Sequence, residues 1–260
     1  MNKRIATSLL LLGMACAQAQ DREPIRDFDL QTIEALGREI YRADLYASVA
    51  TDILLSQELD LSVYPIRGWI VTDRVEGPLV TFVGAHEDGL RAVFDIRPES
   101  ADDDIFENVE GRMLTADEHA RFSARQTASE AVTEACSPRY NTVVLPDPEA
   151  DGWLVYLLAA TTDPNIIPAG GHYRVSIAAD GLSIVRTDRL SVSCLALDKT
   201  EARGPDGGEP VMMVMSHLVS RTPVETHVYL SLLHEIGFAI VTGEEEYWMV
   251  LGGEIERIEQ

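Results

Sequence analysis

The sequence is short of positive charge, of cysteine, of long apolar runs and of any motif that fixes a reaction. It carries 21 Lys and Arg against 43 Asp and Glu, a formal net charge of −22 at pH 7. Such a surface repels phosphate backbones and anionic headgroups, and no local basic patch relieves it, so nucleic acid is not an expected partner. The same balance suits solubility and, beyond that, attraction to cationic ligands, divalent ions or a basic partner. Past the first nineteen residues no apolar run is long enough to span a bilayer; the longest, Trp153 to Thr162, suits a buried strand.

Reaction motifs are missing in the same way. There is no Gly-x-Ser-x-Gly, no Ser-x-x-Lys and no glycine-rich phosphate loop, since Ala169-Gly170-Gly171 follows a proline and precedes a strand. Ser216 and His217 are sequence neighbours, and neighbours on a strand point to opposite faces, so they cannot form a dyad. Acidic pairs abound in a chain this acidic, and any acid–base pair picked from them would be arbitrary.

What is present begins with the leader. Lys3 and Arg4 precede an apolar run from Leu9 to Cys16, and Ala17-Gln18-Ala19 supplies the small residues a signal peptidase requires. This pattern predicts a secretory signal over residues 1–19, cleaved before Gln20, and a periplasmic or secreted protein. A lipoprotein anchored through Cys16 is the alternative; it would place Leu where Gly13 stands. Loss of Lys3 and Arg4 would take the basic count from 21 to 19 against 43 acids, a balance of −24. Roughly 240 residues would remain, room for one large domain or two small ones. Of the three cysteines, Cys136 and Cys194 would then be an even pair in an oxidising compartment, which predicts a disulfide.

Periodicity outlines an α+β fold. Asp27 to Gln57 reads as a long helix with one apolar stripe through Ile33, Leu36, Ile40, Ala43, Ala47, Ala50 and Leu54. Strand signals follow at Trp69–Thr72, Leu79–Val83 and Leu90–Ile96, the last two joined by an Asp88-Gly89 turn. The acidic stretch Pro98 to Glu110 reads as a loop. Thr115 and Glu118 form a capping box ahead of an Ala-rich helix reaching Ala135, with Asp117 and Arg121 paired at i,i+4. An antiparallel meander is expected at Thr142–Leu145, Trp153–Thr162, His172–Ala178, Leu182–Thr187 and Ser191–Leu197, with a loop over Asp163–Gly171. The last segment reads as a β-α-β-β unit: a strand at Val211–Val219, a capping box Thr222-Pro223-Val224-Glu225, a helix to Glu235 stopped by Gly237, then short strands at Phe238–Thr242, Tyr247–Val250 and Glu254–Ile258. The expected division is a leader at 1–19, a helix–strand–helix part at 20–135 and a meander with the C-terminal unit at 136–260, the two parts meeting near Thr133 or forming one continuous domain.

Three histidines, His217, His227 and His234, cluster in that last segment beside Glu225 and Glu235 and are the candidate metal ligands. The pattern is incomplete. His234-Glu235-Ile236-Gly237-Phe238 lacks the second histidine of the zinc-protease helix, and His227 and His234 are roughly 10 Å apart along a helix axis. His234 in a last turn is also suited to complement the helix dipole. Asp147 to Gly152 matches the first half of a calcium loop, but Leu158 stands where the bidentate Glu belongs; Asp102-Asp103-Asp104 fails likewise, with Glu107 in the glycine position. No metal and no cofactor are therefore expected. The aromatic residues fall mostly on strands and read as packing unless several line a groove. The reading that results is an exported α+β protein that binds a partner protein or a small ligand without chemistry. The alternative is a metal-dependent hydrolase built on His217, His227 and His234. No integral membrane segment is expected, and nothing specifies an oligomeric state.

Overall fold

A computed structural model describes residues 24–100, 105–203, 208, 211–243 and 245–259. The leader, Cys16 and Asp102–Asp104 lie outside the described residues. Helix α1 (Leu30–Ser56) begins at Asp29, whose carboxylate accepts the Thr32 amide, and buries the whole predicted stripe from Ile33 to Leu54. Its second half covers a four-stranded antiparallel meander, β1 (Ile66–Arg74), β2 (Gly77–His86), β3 (Gly89–Ile96) and β4 (Phe106–Met113). Ala50 and Leu54 meet Val80, Phe82, Phe94 and Ile96 there.

Strand β4 lies where a loop is expected. Its polar side chains hid it, and their partners explain why they are tolerated at a sheet edge. Arg112 forks onto Asp95 of β3 with two 3.0 Å contacts and reaches Glu118 at 3.0 Å. Glu118 also accepts Arg74 at 2.9 Å and closes the capping box of helix α2 (Ala116–Ser129) with Thr115. The Asp117–Arg121 pair forms at 2.9 Å, with Arg121 stacked over Trp153. Helix α2 stops at Ser129, short of Ala135. Beyond it, tyrosine hydroxyls take over the backbone: Tyr173 donates to the Glu134 carbonyl, and Tyr140 accepts the Cys136 amide.

The next sheet has the order β5 (Tyr140–Pro146), β6 (Trp153–Ala159), β8 (Tyr173–Ile177), β9 (Ile184–Arg189), all antiparallel. Strand β6 is buried at every position because both its faces are covered. Trp153, Val155 and Leu157 pack on α2, while Leu154, Tyr156 and Leu158 face the core shared with α1. The expected loop at Asp163–Gly171 contains β7 (Ile166–Pro168), and the expected strand at Ser191–Leu197 shrinks to β10 (Ala196–Asp198); the two pair antiparallel.

The C-terminal unit comprises β11 (Met212–His217), helix α3 (Glu225–His234), β12 (Gly237–Thr242), β13 (Tyr247–Leu251) and β14 (Glu254–Ile258) in the order β11-β12-β13-β14. Helix α3 makes β11 and β12 parallel; the other pairings are antiparallel. Helices α1 and α3 meet at Gly37, where an added Cβ would lie 2.4 Å from Val228 Cβ, so only glycine permits this approach. One apolar cluster runs from Ile25 through α1, β6 and α3 to Ile255. Among the described residues no helix is long and apolar enough to cross a membrane.

Both ends of α3 differ from the expected chemistry. The N-cap is Val224, and the Val224 amide donates to His227 Nδ1 at 3.1 Å; Thr222 does not cap the helix. Glu225 is thus the first helical residue, and its carboxylate goes to Arg174 at 2.5 Å. The left-handed stop is Glu235 (φ 52°), while Gly237 opens β12.

Cys136 and Cys194 form the expected disulfide, with Cα atoms 5.2 Å apart and a sequence separation of 58. Chain-entropy reasoning for a loop of this length puts its stabilisation at about 4 kcal/mol. Cys194→Ala should lose that amount in urea denaturation of oxidised protein; an unchanged midpoint would show that the bridge does not constrain the unfolded chain.

Candidate functional site

A cleft of about 460 Å³ opens between the C-terminal unit and the segment that carries Cys194. One wall is β11 and its exit, through Val214, Met215 and Leu218. The opposite wall is Ser193, Leu195 and Leu197, leading into β10, with Ala169 beyond β7 closing the side. His217, at the end of β11, and His227, in the first turn of α3, line its inner part. Met213, Met215 and His217 are buried on one face of β11 and Met212, Val214 and Ser216 exposed on the other; β11 is an edge strand, and the cleft wraps that edge, taking Val214 and Ser216 as well as Met215 and His217.

The disulfide holds the second wall. Cys194 lies between Ser193 and Leu195, both lining residues, and ties them to the chain that leaves α2. Gly171 allows that crossing: its φ is +86°, and an added Cβ would come within 2.5 Å of Cys136 Sγ. Ser191 completes the wall by accepting the Gly171 amide at 2.7 Å and donating to the Ser193 carbonyl at 2.9 Å.

The two imidazoles stack edge to face, centroids 4.6 Å apart and planes at 86°. His217 is 4% exposed and His227 2%. Burial pushes His217 down to about 4 and His227 well below its ordinary value, with His217 and His172 adding like-charge repulsion on His227. His172, 1% exposed, accepts the Ala159 amide at Nδ1 (3.0 Å). Burial takes it to about 4, against an opposing pull from the Pro168 carbonyl. All three rings are neutral at pH 7. His227 is buried with its Nδ1 accepting the Val224 amide inside the protein.

His217 hydrogen-bonds Ser220, with 2.7 Å between Nε2 and Oγ, and Ser220 Oγ lies 2.6 Å from the Thr222 carbonyl. Ser220 is the residue that motif reading passes over; the short polar turn after β11 is the signal that points to it. Since the hydroxyl hydrogen goes to the carbonyl, Ser220 is not activated as a nucleophile. Neither cleft imidazole has a carboxylate among its hydrogen-bond partners in the described residues.

His234 does not join the pair. It ends α3 and is not part of the cleft lining. Burial and Lys199 push it down to about 4, so it is neutral at pH 7 and brings no positive charge to the helix terminus. Among the described residues no three His, Cys, Asp or Glu side chains are placed to hold one ion. In the calcium-like loop, Asp147 is engaged by Arg26 at 2.5 Å and by the Glu149 amide at 2.9 Å. The tryptophans do not line the cleft; Trp69 and Trp153 are covered by the guanidiniums of Arg125 and Arg121 at 4.3 and 4.7 Å.

A second group of polar residues escapes motif reading. Arg174, Asp188 and Glu225 are 1%, 2% and 0% exposed and form one ion-pair network, at 2.8 Å to Asp188 and 2.5 Å to Glu225. Arg174 and Asp188 are cross-strand partners on β8 and β9. Tyr156 donates to the same Glu225 oxygen at 3.2 Å. The segment Pro24–Phe28 lies over them: Arg174 donates to the Arg26 carbonyl, Arg186 to the Pro24 carbonyl, and both Arg26 and Arg174 stack on Phe28. This network joins α3 to the middle sheet and so steadies the first turn that carries His227.

Comparisons with protein-family models, with curated proteins and with solved structures find no match for this chain.

Proposed function

We propose that this is an exported, non-enzymatic binding protein and that the cleft takes a small ligand. The carrying observation is the cleft itself: about 460 Å³, mostly aliphatic, with two buried imidazoles at its inner end. A concave apolar surface with a few convergent polar groups is the usual form of a small-molecule site. The chemistry of those groups favours binding over catalysis. An imidazole held down near 4, as on His217, or well below its ordinary value, as on His227, is a weak base at neutral pH, and the hydroxyl bonded to His217, on Ser220, is turned to a carbonyl. Export rests on the leader pattern, and a disulfide suits the compartment it implies.

The reading is tested with Val214→Trp. Val214 lines the cleft yet is 70% exposed, so a large side chain can be placed there without disturbing the core. A library of small uncharged fragments, screened by ligand-observed NMR, should yield binders to the native protein that the variant loses, with the thermal midpoint unchanged. A screen whose every binder is indifferent to Val214→Trp, or that has no binder, overturns the reading.

A further inference from the structure

The two cleft imidazoles are fixed in protonation by their other contacts. His227 Nδ1 accepts the Val224 amide at 3.1 Å, so the proton of the neutral ring is on Nε2. His217 Nε2 is 2.7 Å from Ser220 Oγ, and that hydroxyl gives its single hydrogen to the Thr222 carbonyl at 2.6 Å. Ser220 can then only accept from His217, which places the proton of that ring on Nε2 and leaves Nδ1 with a bare lone pair. Both rings hold the same tautomer but turn different nitrogens away from their anchors: a donor, His227 Nε2–H, and an acceptor, His217 Nδ1. Among the described residues neither atom has a hydrogen-bond partner.

We infer that the cleft recognises an uncharged aliphatic molecule whose head group both accepts and donates a hydrogen bond, an amide bearing N–H or a hydroxyl, held between His227 Nε2–H and His217 Nδ1. This rests on the cleft being a ligand site. The rest of the lining agrees with the head group: among the described residues no Asp, Glu, Lys or Arg borders the cleft, so an ionised ligand would lose water without gaining a counter-charge there. Leu195, Leu197, Val214, Met215 and Leu218 offer saturated surface to the body of the ligand. The edge-to-face arrangement keeps the rings within 4.6 Å, close enough for one small group to meet both. Such a site discriminates against molecules that leave one of its buried polar atoms unpaired.

The probes are octanamide, N,N-dimethyloctanamide and octanoate, titrated calorimetrically at pH 7 into native protein, Val214→Trp and Ser220→Ala. Octanamide is expected to bind native protein and to fail on Val214→Trp. The dimethyl amide, which cannot donate, and octanoate, which is charged and cannot donate, are each expected to bind at least about tenfold more weakly. Ser220→Ala frees the His217 ring to carry its proton on Nδ1, and should narrow the octanamide preference over the dimethyl amide. Imidazole nitrogen shifts in the native protein should report Nε2–H on both rings. Octanoate or the dimethyl amide binding as tightly as octanamide, or His217 protonated on Nδ1, overturns the head-group assignment while leaving a ligand site in place. If all three probes fail but other fragments bind in a Val214-dependent way, the assignment also falls and the cleft reading survives. If no fragment binds there, both fall.

Discussion

Arg174→Ala is expected to lower the free energy of unfolding by about 5 kcal/mol, the upper end of what breaking a buried ion pair costs. Arg174 is among the largest fully buried side chains and holds two buried carboxylates at once, Asp188 and Glu225. Burial alone would drive its guanidinium down; Glu225 chiefly reverses that and holds it above its ordinary value. Its removal leaves Glu225 with only Tyr156 as a side-chain partner among the described residues, where one Glu225 oxygen already has none. The truncation also takes away the surface on which Phe28 rests. Urea denaturation of Arg174→Ala should show the loss, and the double variant Arg174→Met/Glu225→Gln should recover part of it, since no uncompensated charge then stays buried at Glu225. A loss under about 1 kcal/mol for Arg174→Ala would mean that water reaches the site and that the pair is not desolvated.

That network also shows where sequence reading works and where it stops. The stripe of α1 was legible because seven buried positions repeat at helical spacing within one element. Strand β6 was legible as a continuous apolar run, and its cause, cover on both faces, became visible only in the packing of α2 and α1 on it. The disulfide was legible as an even count of cysteines beyond a leader pattern that points to an oxidising compartment. Strand β4 was missed because its first half, including Glu107, falls in the acidic stretch Pro98 to Glu110 that reads as a loop, and its tie through Arg112 to Asp95 and Glu118 shows only in the fold. At α3 a local pattern lost to a distant partner. Thr222-Pro223-Val224-Glu225 satisfies the capping rule, yet Glu225 is claimed by Arg174, 51 residues earlier in the chain, and His227 serves the amide instead. Of the site, His217 and His227 were legible as neighbours from the short β11–α3 connection. The wall at Ser193–Leu197 was not, because its position depends on the bond between Cys194 and Cys136 and on the pairing of β10 with β7.

Acid should unfold this protein well above the pH at which ordinary carboxylates titrate. His172 and His217 have folded-state pKa values of about 4, lowered by burial, and His227 is likewise lowered well below its ordinary value. In the unfolded chain each returns to its ordinary value near 6.5. The unfolded state therefore binds more protons between these limits, so stability is full above pH 6.5 and is lost as pH falls towards 4. At pH 5 the loss is roughly 2 kcal/mol each for His172 and His217, with His227 adding to it. Other buried groups act near the bottom of this window. Asp44, raised by burial, favours the folded state as pH falls. Glu118 and Asp147 are held down by Arg112 and Arg26 against the pull of burial, and they forfeit that stabilisation as they protonate below their ordinary values. The imidazole effect comes first on the way down. Urea midpoints measured from pH 7.5 to 4.5 should fall steeply below about pH 6.5, and replacing His172 by a neutral side chain of similar size should flatten that fall even if it lowers the plateau. A midpoint level from pH 7.5 to 5 would show that the rings are protonated or hydrated in the folded state. The fixed donor and acceptor in the cleft would then fall with it, since both depend on imidazoles that stay neutral inside the protein.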